Sequence, residues 1–274
     1  MEGVGGRRRG IQNCTDKLLV NDPILLIFDI DGTLTDSGGL TRVALEMAAK
    51  ELYGVERSTA GISAWGQTDL KIFKLMVDNN RLPVADVEVE FKSFAVRYIQ
   101  TLSEILYKSD KPRLHTGIRA LLERLASEPD IKLAIGTGNI EPTARLKLER
   151  HGVSGHFPIG GFGSDSADRA SLLQVALDRS RQFYGASFPV GSYWVIGDTP
   201  NDIFSGKKIA AETVAVCTGA YRSEELARHR PTAVLSDLSD ADYFLALVRR
   251  EIEPASGQID LLEKASFGEE PDPI

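Results

Sequence analysis

The hydrophobic pattern of the chain alternates between short apolar runs and longer stretches with helical spacing. Five runs have the length and residue types of β-strands. They are ILLIFDI (24–30), IKLAIGTGN (131–139), SYWVIGDTP (192–200), TVAVCTG (213–219) and TAVLSD (232–237). The runs lack apolar/polar alternation, as expected for strands that helices cover on both faces. The pattern therefore predicts an α/β fold built on a doubly wound parallel sheet.

The interval between the first two runs is too long for a single crossover. About 100 residues separate them, whereas a complete βαβ unit needs roughly 30. Helical periodicity within the interval predicts three helices, over 38–53, 69–78 and 87–107. In the first of these, the residues predicted to share the buried face are Leu40, Val43, Ala44, Met47 and Leu52. We therefore predict an inserted α-helical domain, placed directly after the first strand.

The predicted organisation has a core, an insertion and two flanking segments. The core comprises residues 21–35 and 112–253, and a helical cap at 36–111 interrupts it. Residues 1–20 are expected to form a loose extension. Residues 254–274 are acidic and punctuated by proline and glycine, which predicts a partly ordered tail.

Composition narrows the classes of partner. The 274 residues include 39 acidic and 32 basic side chains, which gives a formal net charge of −7. This balance does not favour the basic surface that nucleic acids require, so no nucleic-acid binding is expected. No apolar run reaches membrane-spanning length, and Cys14 and Cys217 form neither a disulfide framework nor a metal motif. These features predict a cytoplasmic protein with no membrane partner.

Carboxylates follow two of the predicted strands. Asp29 and Asp31 end the first run, and if the strand stays extended their side chains point to the same side. The segment GDTPND adds Asp198 and Asp202 after the third run. Like charges near an apolar edge need a cation, hydrogen bonds or a proton to offset their repulsion and lost hydration. Four carboxylates at two strand ends suit a hard cation, most plausibly Mg²⁺.

Groups that suit an anion lie nearby in the predicted fold. Thr137, Gly138 and Asn139 offer a hydroxyl and backbone N–H groups at a strand-to-helix turn, where anions bind well. Arg169 stands at the start of a predicted helix and offers a fixed, planar positive group. Acids, a metal site, an anion-binding turn and a cation together indicate phosphoryl transfer.

Four segments resemble the ordered motifs of the haloacid dehalogenase superfamily. They are DIDGTLTDS, GTGN, the segment around Arg169 and GDTPND, and the match spans roughly residues 23–236. The resemblance implies a Rossmann-like core, an aspartyl-phosphate intermediate and Mg²⁺. The insertion resembles the helical cap of the phosphoglycolate phosphatase-like branch.

The resemblance also implies roles for the four aspartates. By position, Asp29 is similar to the nucleophile and Asp31 to the acid/base residue of the superfamily. The metal ligands implied are Asp29, the backbone carbonyl of Asp31, and Asp198. Asp202 is implied either as a further ligand or as a support for the others.

Phosphate and substrate contacts are implied in the same way. Thr137 and Arg169 are similar to the phosphate-binding residues, although many relatives carry lysine where this chain has Arg169. The segment GQTD (66–69) resembles a cap loop that approaches the substrate. Its candidate specificity residues are Gln67, Thr68 and Asp69.

Several of these residues also have a purely structural interpretation. Thr137 could be an ordinary helix N-cap and Asp202 a helix cap. Arg169 could be a solvated charge at a helix start, and residues 66–69 could be a turn that begins a helix. Trp65 is expected to serve packing rather than recognition.

The residues favour one reaction over its alternatives. Ester hydrolysis needs the second acid, Asp31, whereas a dehalogenase does not, because halide leaves without protonation. Related sugar-phosphate mutases carry a histidine where this chain has Thr41, which disfavours a mutase. A phosphorylatable receiver module needs neither Asp31 nor a cap. The sequence predicts a Mg²⁺-dependent phosphatase acting on a small phosphorylated metabolite; phosphoglycolate, a sugar phosphate and a nucleotide monophosphate remain open.

Overall fold

The computed structural model describes residues 23–254. The predicted extension at 1–20 lies outside the described residues, as does the predicted tail at 254–274 except for its first residue. The strands are β1 (Ile24–Phe28), β2 (Thr35–Asp36), β3 (Arg113–Leu114), β4 (Ile131–Thr137), β5 (Gly160–Phe162), β6 (Tyr193–Gly197), β7 (Glu212–Val216) and β8 (Ala233–Leu235). The helices are α1 (Leu40–Tyr53), α2 (Asp69–Asn80), α3 (Val87–Lys108), α4 (Ile118–Ala126), α5 (Glu141–Glu149), α6 (Arg169–Tyr184), α7 (Pro200–Lys208), α8 (Ser223–Ala227) and α9 (Ala241–Val248).

The central sheet has the order β5-β4-β1-β6-β7-β8, and its neighbouring strands pair in parallel. The chain therefore winds outward from β1 in one direction and then, from β6, in the other. In such sheets the binding crevice lies beyond the carboxyl ends of the strands where the winding direction reverses. That point lies between β1 and β6, and the predicted Rossmann-like, doubly wound fold is confirmed.

Both faces of β1 are buried, as its continuous apolar sequence predicts. Leu26 and Phe28 belong to a cluster that includes residues of α4 and α9, whereas Leu25 and Ile27 pack in a cluster with residues of α6. All five residues of β1 are buried. The central strand is therefore a rigid base for the residues that follow it.

Strand β5 is an element that the apolar pattern does not predict. Its three residues, Gly160, Gly161 and Phe162, pair with the carboxyl-terminal half of β4. A Cβ at Gly161 would lie 1.9 Å from the carbonyl oxygen of Leu172 in α6. The glycines let this helix pack directly on the strand, and they also remove the β-branched residues by which a strand is recognised in sequence.

The insertion consists of α1, α2 and α3 and has an aromatic core of its own. The ring centroids of Phe73 and Phe94 lie 4.5 Å apart, and Tyr98 stacks on Phe94 at 6.3 Å. Strands β2 and β3 pair antiparallel where the chain leaves and re-enters the core. The insertion of a helical cap is as predicted, and the division at residues 36–111 stays a prediction.

The buried face of α1 differs from the predicted one. Val43, Met47 and Leu52 are 43%, 45% and 44% exposed. The buried residues of α1 are Leu40, Ala44, Leu45, Ala48 and Ala49. Three of these are alanines, which let another helix approach closely, so the small residues rather than the large ones mark the packed face.

Candidate active site

Three strand ends bring the predicted site residues together. Asp29 follows β1, Asp198 follows β6, and Thr137 ends β4. A cavity of about 510 Å³ lies at this edge, and Asp29, Thr137 and Arg169 line it. Gly32, in the turn after β1, has a φ of +84°, and a Cβ there would lie 2.3 Å from Asp198 Oδ2. The DIDGT turn thus needs glycine both for its backbone conformation and for the close approach of the second strand end.

Asp29, Asp198 and Asp202 form a buried acidic cluster, in which ligand oxygens from all three lie within 4.8 Å of one another. Asp198 Oδ1 accepts a hydrogen bond from the Thr33 hydroxyl at 3.3 Å, but Oδ2 is buried with no hydrogen-bond partner within residues 23–254. Burial, together with the Asp202 and Asp29 carboxylates, raises the pKa of Asp198 to about 9. A cation would offset this repulsion, and an all-oxygen ligand set fits Mg²⁺.

Arg169 is a buried ion-pair partner, not a solvated charge. The residue is 7% exposed, and its Nη2 lies 2.9 Å from Asp29 Oδ1 and also contacts Asp202 Oδ1. Although burial opposes the charge, the Asp202 and Asp29 carboxylates raise the pKa of Arg169 above its ordinary value. The guanidinium is therefore fixed beside the carboxylate implied as nucleophile.

Asp29 has a perturbed pKa. Burial raises the pKa of Asp29 to about 6, and Asp202 and Asp31 add to this shift while Arg169 opposes it. At neutral pH the carboxylate is therefore ionised. Its Oδ1 pairs with Arg169.

Asp202 has a capping role as well as its place in the acidic cluster. Its Oδ2 accepts hydrogen bonds from the backbone N–H of Thr199 at 3.0 Å and from the Thr199 hydroxyl at 2.7 Å. This arrangement is a capping box at the start of α7. Its Oδ1 contacts the Arg169 guanidinium but has no hydrogen-bond partner in the part of the chain that the structure describes, so both implied roles, metal ligand and support, stay open.

The Asp31 carboxylate lies outside the acidic cluster, so the expected grouping of four carboxylates is wrong. Its Oδ2 accepts hydrogen bonds from Asn139 Nδ2 at 2.8 Å and from Lys147 Nζ at 2.6 Å. Asp31 lines the same cavity as Asp29, as the spacing predicts. The reason for the difference is local: β1 ends at Phe28, and the backbone turns after it instead of continuing as a strand.

Lys147 is a residue of the site that the motifs do not reveal. It lies on α5 and is 2% exposed. The buried residues of this helix are Thr143, Ala144, Lys147 and Leu148, which share one face. A lysine at a core-facing helical position is the signal by which the sequence could have revealed it, because a buried ammonium requires a partner.

The loop after β4 places its hydroxyl at the cavity. The Thr137 hydroxyl accepts from Asn139 Nδ2 at 2.8 Å, which leaves its own hydrogen to donate to a ligand. Both hydrogens of the Asn139 amide have acceptors, namely Thr137 and Asp31. The N-cap of α5 is Ile140, so Thr137 is not a helix cap. Gly138 lines the cavity between them.

The cap loop at 66–69 contacts three core segments. The backbone N–H of Asp69 donates to the Gly138 carbonyl at 2.9 Å, and the Thr68 hydroxyl donates to the Ala167 carbonyl at 3.5 Å. Asn201 Nδ2 donates to the Gly66 carbonyl at 3.1 Å. A Cβ at Gly138 would lie 2.2 Å from the Gln67 carbonyl oxygen. The loop therefore lies directly on the predicted phosphate-binding turn.

Thr68 and Asp69 also have structural roles in this loop. Thr68 is the N-cap of α2, as the turn interpretation expects. The Asp69 carboxylate accepts a hydrogen bond from the Ile140 N–H at 2.9 Å and one from the Thr143 hydroxyl at 3.4 Å. Gln67 and Asp69 line the cavity, so one short segment both joins cap to core and forms part of the cavity wall.

Residues 26–204 match the family described as haloacid dehalogenase-like hydrolase, and residues 170–241 match a second, HAD-hydrolase-like family. The first match covers all four motifs and the inserted helices. This chain belongs to the haloacid dehalogenase-like hydrolase family.

Curated relatives within this family carry different names. A phosphoglycolate phosphatase of Aquifex aeolicus is 25% identical over 201 residues, which cover 71% of this chain and 85% of that protein. The tyrosine-protein kinase PtkA of Mycobacterium bovis is 26% identical over 213 residues, covering 77% of this chain and 68% of that protein. The predicted resemblance is confirmed, and with it an enzyme of the phosphatase type within this family.

Solved structures share the fold of this hydrolase. A hydrolase from Pseudomonas syringae superposes with a TM-score of 0.62 at 24% identity, covering 84% of this chain and 99% of that one. CbbY from Rhodobacter sphaeroides, solved in complex with phosphate, superposes with a TM-score of 0.63 at 18% identity, covering 80% and 96%. At these identities the likeness concerns the fold alone.

Trp65 lies at the cavity wall in this family member. It precedes the cap loop, is 51% exposed and lines the cavity. A half-exposed indole at a cavity wall offers a flat apolar face to a ligand. The indole is therefore only half covered by protein, and its expected packing role stays a prediction.

The Asp69 carboxyl, at the contact between cap and core, is expected to make the free energy of unfolding depend on pH. Burial raises the pKa of Asp69 from its ordinary value of 3.8 to about 6, with Lys147 opposing the shift. The folded protein therefore binds more protons than the unfolded chain between these pH values, so the free energy of unfolding falls as the pH rises from about 4 to about 6. We expect Asp69→Asn to remove up to about 3 kcal/mol of this pH-dependent change.

The measurement is chemical denaturation at several pH values between 4 and 7. Asp78→Asn, at an exposed position of the same helix, is the matched control and is expected to keep the slope of the parent protein. A slope unchanged in Asp69→Asn would show that the Asp69 carboxyl titrates normally in the folded protein.

Proposed function

We propose that this chain is a Mg²⁺-dependent phosphatase that hydrolyses a small phosphorylated metabolite, phosphoglycolate-like or a sugar phosphate, through an aspartyl-phosphate intermediate on Asp29. The observation that carries the proposal is that Asp29, Asp31 and Arg169 line one cavity, with Asp198 beside Asp29. The relative named phosphoglycolate phosphatase supports the substrate class.

The first step transfers the phosphoryl group to the protein. Asp29 Oδ2 attacks the phosphorus in line, an O–P bond forms, and the bond to the ester oxygen breaks. Asp31 donates a proton to the leaving oxygen, so an alcohol departs instead of an alkoxide. Arg169 balances negative charge on the transferring group, and the Thr137 hydroxyl donates to one of its oxygens.

The second step returns Asp29 to its starting form. Asp31, now ionised, accepts a proton from a water molecule as that water attacks phosphorus. The bond between phosphorus and Asp29 breaks, and inorganic phosphate leaves. The cap loop lies over the predicted phosphate-binding turn, which limits the access of other water during the first step.

The metal site is proposed on the acidic cluster. Asp29, Asp198 and the backbone carbonyl of Asp31 would hold Mg²⁺, and Asp202 would support them through Arg169 and Thr199. When bound, the ion neutralises charge on the phosphoryl oxygens and orients them. Asp198 Oδ2 has no hydrogen-bond partner among the residues that the structure describes, so this oxygen is the group that most requires the ion.

The substrate class rests on the cavity. A volume of about 510 Å³ lies within the range of roughly 300–1,000 Å³ that small-molecule sites occupy. The cap contributes Trp65 and Gln67 to its wall. The cap is thus proposed to select the leaving group, while the core binds the phosphate. A cytoplasmic location and the absence of a nucleic-acid partner stay predictions.

Two alternative functions are less well supported. Thr41 lines the cavity and donates to the Ser37 hydroxyl at 3.2 Å. A threonine hydroxyl is a poor proton acceptor at neutral pH, so it does not replace the histidine implied by the resemblance to mutases. A receiver module would not need the enclosing cap or the second acid, Asp31.

The experiment that tests the proposal measures phosphate release from a panel of phosphorylated metabolites in Mg²⁺. The panel contains phosphoglycolate, sugar phosphates and nucleoside monophosphates. We expect at least one class to reach a kcat/KM on the order of 10⁴ M⁻¹s⁻¹ or higher. Isomerisation of a sugar phosphate without phosphate release would support the mutase, and stoichiometric labelling without turnover would support the receiver; either result would contradict the proposal.

A further inference from the structure

Lys147 is a buried lysine that none of the steps above uses. Its Nζ donates to Asp31 Oδ2 and to Asn139 Oδ1, both at 2.6 Å. The side chain is 2% exposed, whereas the Asp31 side chain is 33% exposed. Burying an ammonium is unfavourable unless charged or polar partners surround it, so this lysine is held in place by the groups that it contacts.

The contacts divide the two oxygens of Asp31. Oδ2 accepts from both Lys147 and Asn139, whereas Oδ1 has no hydrogen-bond partner among the described residues. When one carboxylate oxygen accepts hydrogen bonds from both an ammonium and an amide, the orientation of the carboxylate is fixed. The carboxylate oriented in this way belongs to a residue that lines the cavity, where it can exchange a proton with a ligand.

The donors themselves are braced. The Asn139 amide also donates to Thr137, so its plane is set by two acceptors. Lys147 is carried by α5, whose first turn is bound to the cap through the Asp69 carboxylate. Both donors therefore belong to elements that are fixed relative to the strand end that carries Asp31.

We propose that Lys147 is a positioning residue, which holds Asp31 in the orientation that protonates the leaving group and then accepts a proton from water. The proposal rests on the proposed function. Asp31 lies in the turn after β1 and its side chain is one-third exposed, so without Lys147 its carboxylate would sample other rotamers. Asn139 alone supplies a neutral hydrogen bond, which is weaker than the bond to an ammonium.

If Lys147 positions Asp31, its replacement should affect esters with different leaving groups to different extents. An alkyl phosphate has a strongly basic leaving group and depends on proton donation, whereas p-nitrophenyl phosphate releases a stable anion without it. Lys147→Met is expected to lower kcat for an alkyl phosphate about 10- to 100-fold, with KM changed by no more than about twofold. The rate of the first nitrophenolate release is expected to stay within about threefold of the parent, because Asp29 and Arg169 are untouched.

The test compares Lys147→Met and Lys147→Gln with the control Lys92→Met, in full-length protein with Mg²⁺. Lys92 is exposed on α3, and its variant is expected to retain the activity of the parent. The glutamine variant keeps a polar group in the cluster and serves if methionine impairs folding. A merely structural role would slow the first nitrophenolate release as much as it slows turnover of the alkyl phosphate, and that result in either folded variant would overturn the proposal.

A double-mutant cycle separates positioning from an independent contribution. In an Asp31→Asn background, Lys147→Met is expected to cause no further loss of turnover, because the group that it positions is absent. A further loss of tenfold or more would show that Lys147 acts by another route and would overturn the proposal. If the parent protein releases no phosphate from any ester, the proposed function fails. If the parent is active and its Lys147 variants lose the first nitrophenolate release and alkyl phosphate turnover by the same factor, this inference alone is contradicted.

Discussion

Replacing Asp29 by asparagine is expected to lower phosphate-ester hydrolysis on the order of 10⁴-fold or more with every substrate, because the amide cannot form the covalent intermediate. Asp31→Asn is expected to behave differently. It keeps the nucleophile and removes both the proton donor and the base that activates water. The two carboxylates line one cavity but have different partners, Arg169 for Asp29, and Asn139 and Lys147 for Asp31.

Leaving-group basicity distinguishes the two variants. With an alkyl phosphate, Asp31→Asn is expected to stall before the intermediate forms. With p-nitrophenyl phosphate the first step can proceed, so we expect a burst of nitrophenolate close to one equivalent per site, followed by slow hydrolysis. Asp178→Asn, at an exposed position of α6, is the control and is expected to match the parent. Turnover of both esters by Asp31→Asn at the parent rate would show that Asp31 is not the acid/base residue.

Removal of divalent metal is expected to abolish turnover, and Mg²⁺ is expected to restore it. Carboxylate oxygens of the buried residues Asp29, Asp198 and Asp202 lie within 4.8 Å of one another. Burial and the other two carboxylates raise the pKa of Asp198 to about 9, although Arg169 opposes this shift. Ca²⁺ is expected to be a poor substitute, since it favours a looser coordination with more ligands. The assay is phosphate release in excess chelator and after titration with each metal.

A thermal measurement tests the metal site without reference to activity. A ligand that binds only the folded state at about 100 times its dissociation constant adds about 2.7 kcal/mol to the free energy of unfolding. Saturating Mg²⁺ should therefore raise the Tm of the parent protein, and Asp198→Asn should lose most of that rise. Full activity in excess chelator, or an equal Mg²⁺-dependent rise in both proteins, would contradict the assignment.

The motifs were sufficient to find the strand ends that form the site. Apolar runs with polar ends identified β1, β4 and β6, and the order of those ends placed Asp29, Thr137 and Asp198 at one edge of the sheet. This succeeded because buried parallel strands have a strong sequence pattern and because their carboxyl ends necessarily meet. Strand β5 was missed, since its glycines serve the approach of α6 and carry no strand signal.

Side-chain partners were less predictable than positions. The spacing of Asp29 and Asp31 suggested one group of carboxylates, but the turn after β1 gives Asp31 different partners, one of which, Lys147, lies 116 residues away. Lys147 lies in a helix with many charged residues, so its core-facing position in the helical pattern was not recognised. The buried face of α1 was misjudged for a related reason, because periodicity records which residues are apolar and not which neighbour covers them.

The measurement that most directly tests the account is the location of the phosphoryl group during turnover. Parent protein is mixed with p-nitrophenyl phosphate in Mg²⁺, quenched in acid within the first turnover, digested and analysed by mass spectrometry. One added phosphate is expected on the peptide that contains Asp29, and no added phosphate is expected on Asp29→Asn treated in the same way. Phosphate on a different residue, or phosphate release at the parent rate by Asp29→Asn, would contradict the central claim that Asp29 is the nucleophile.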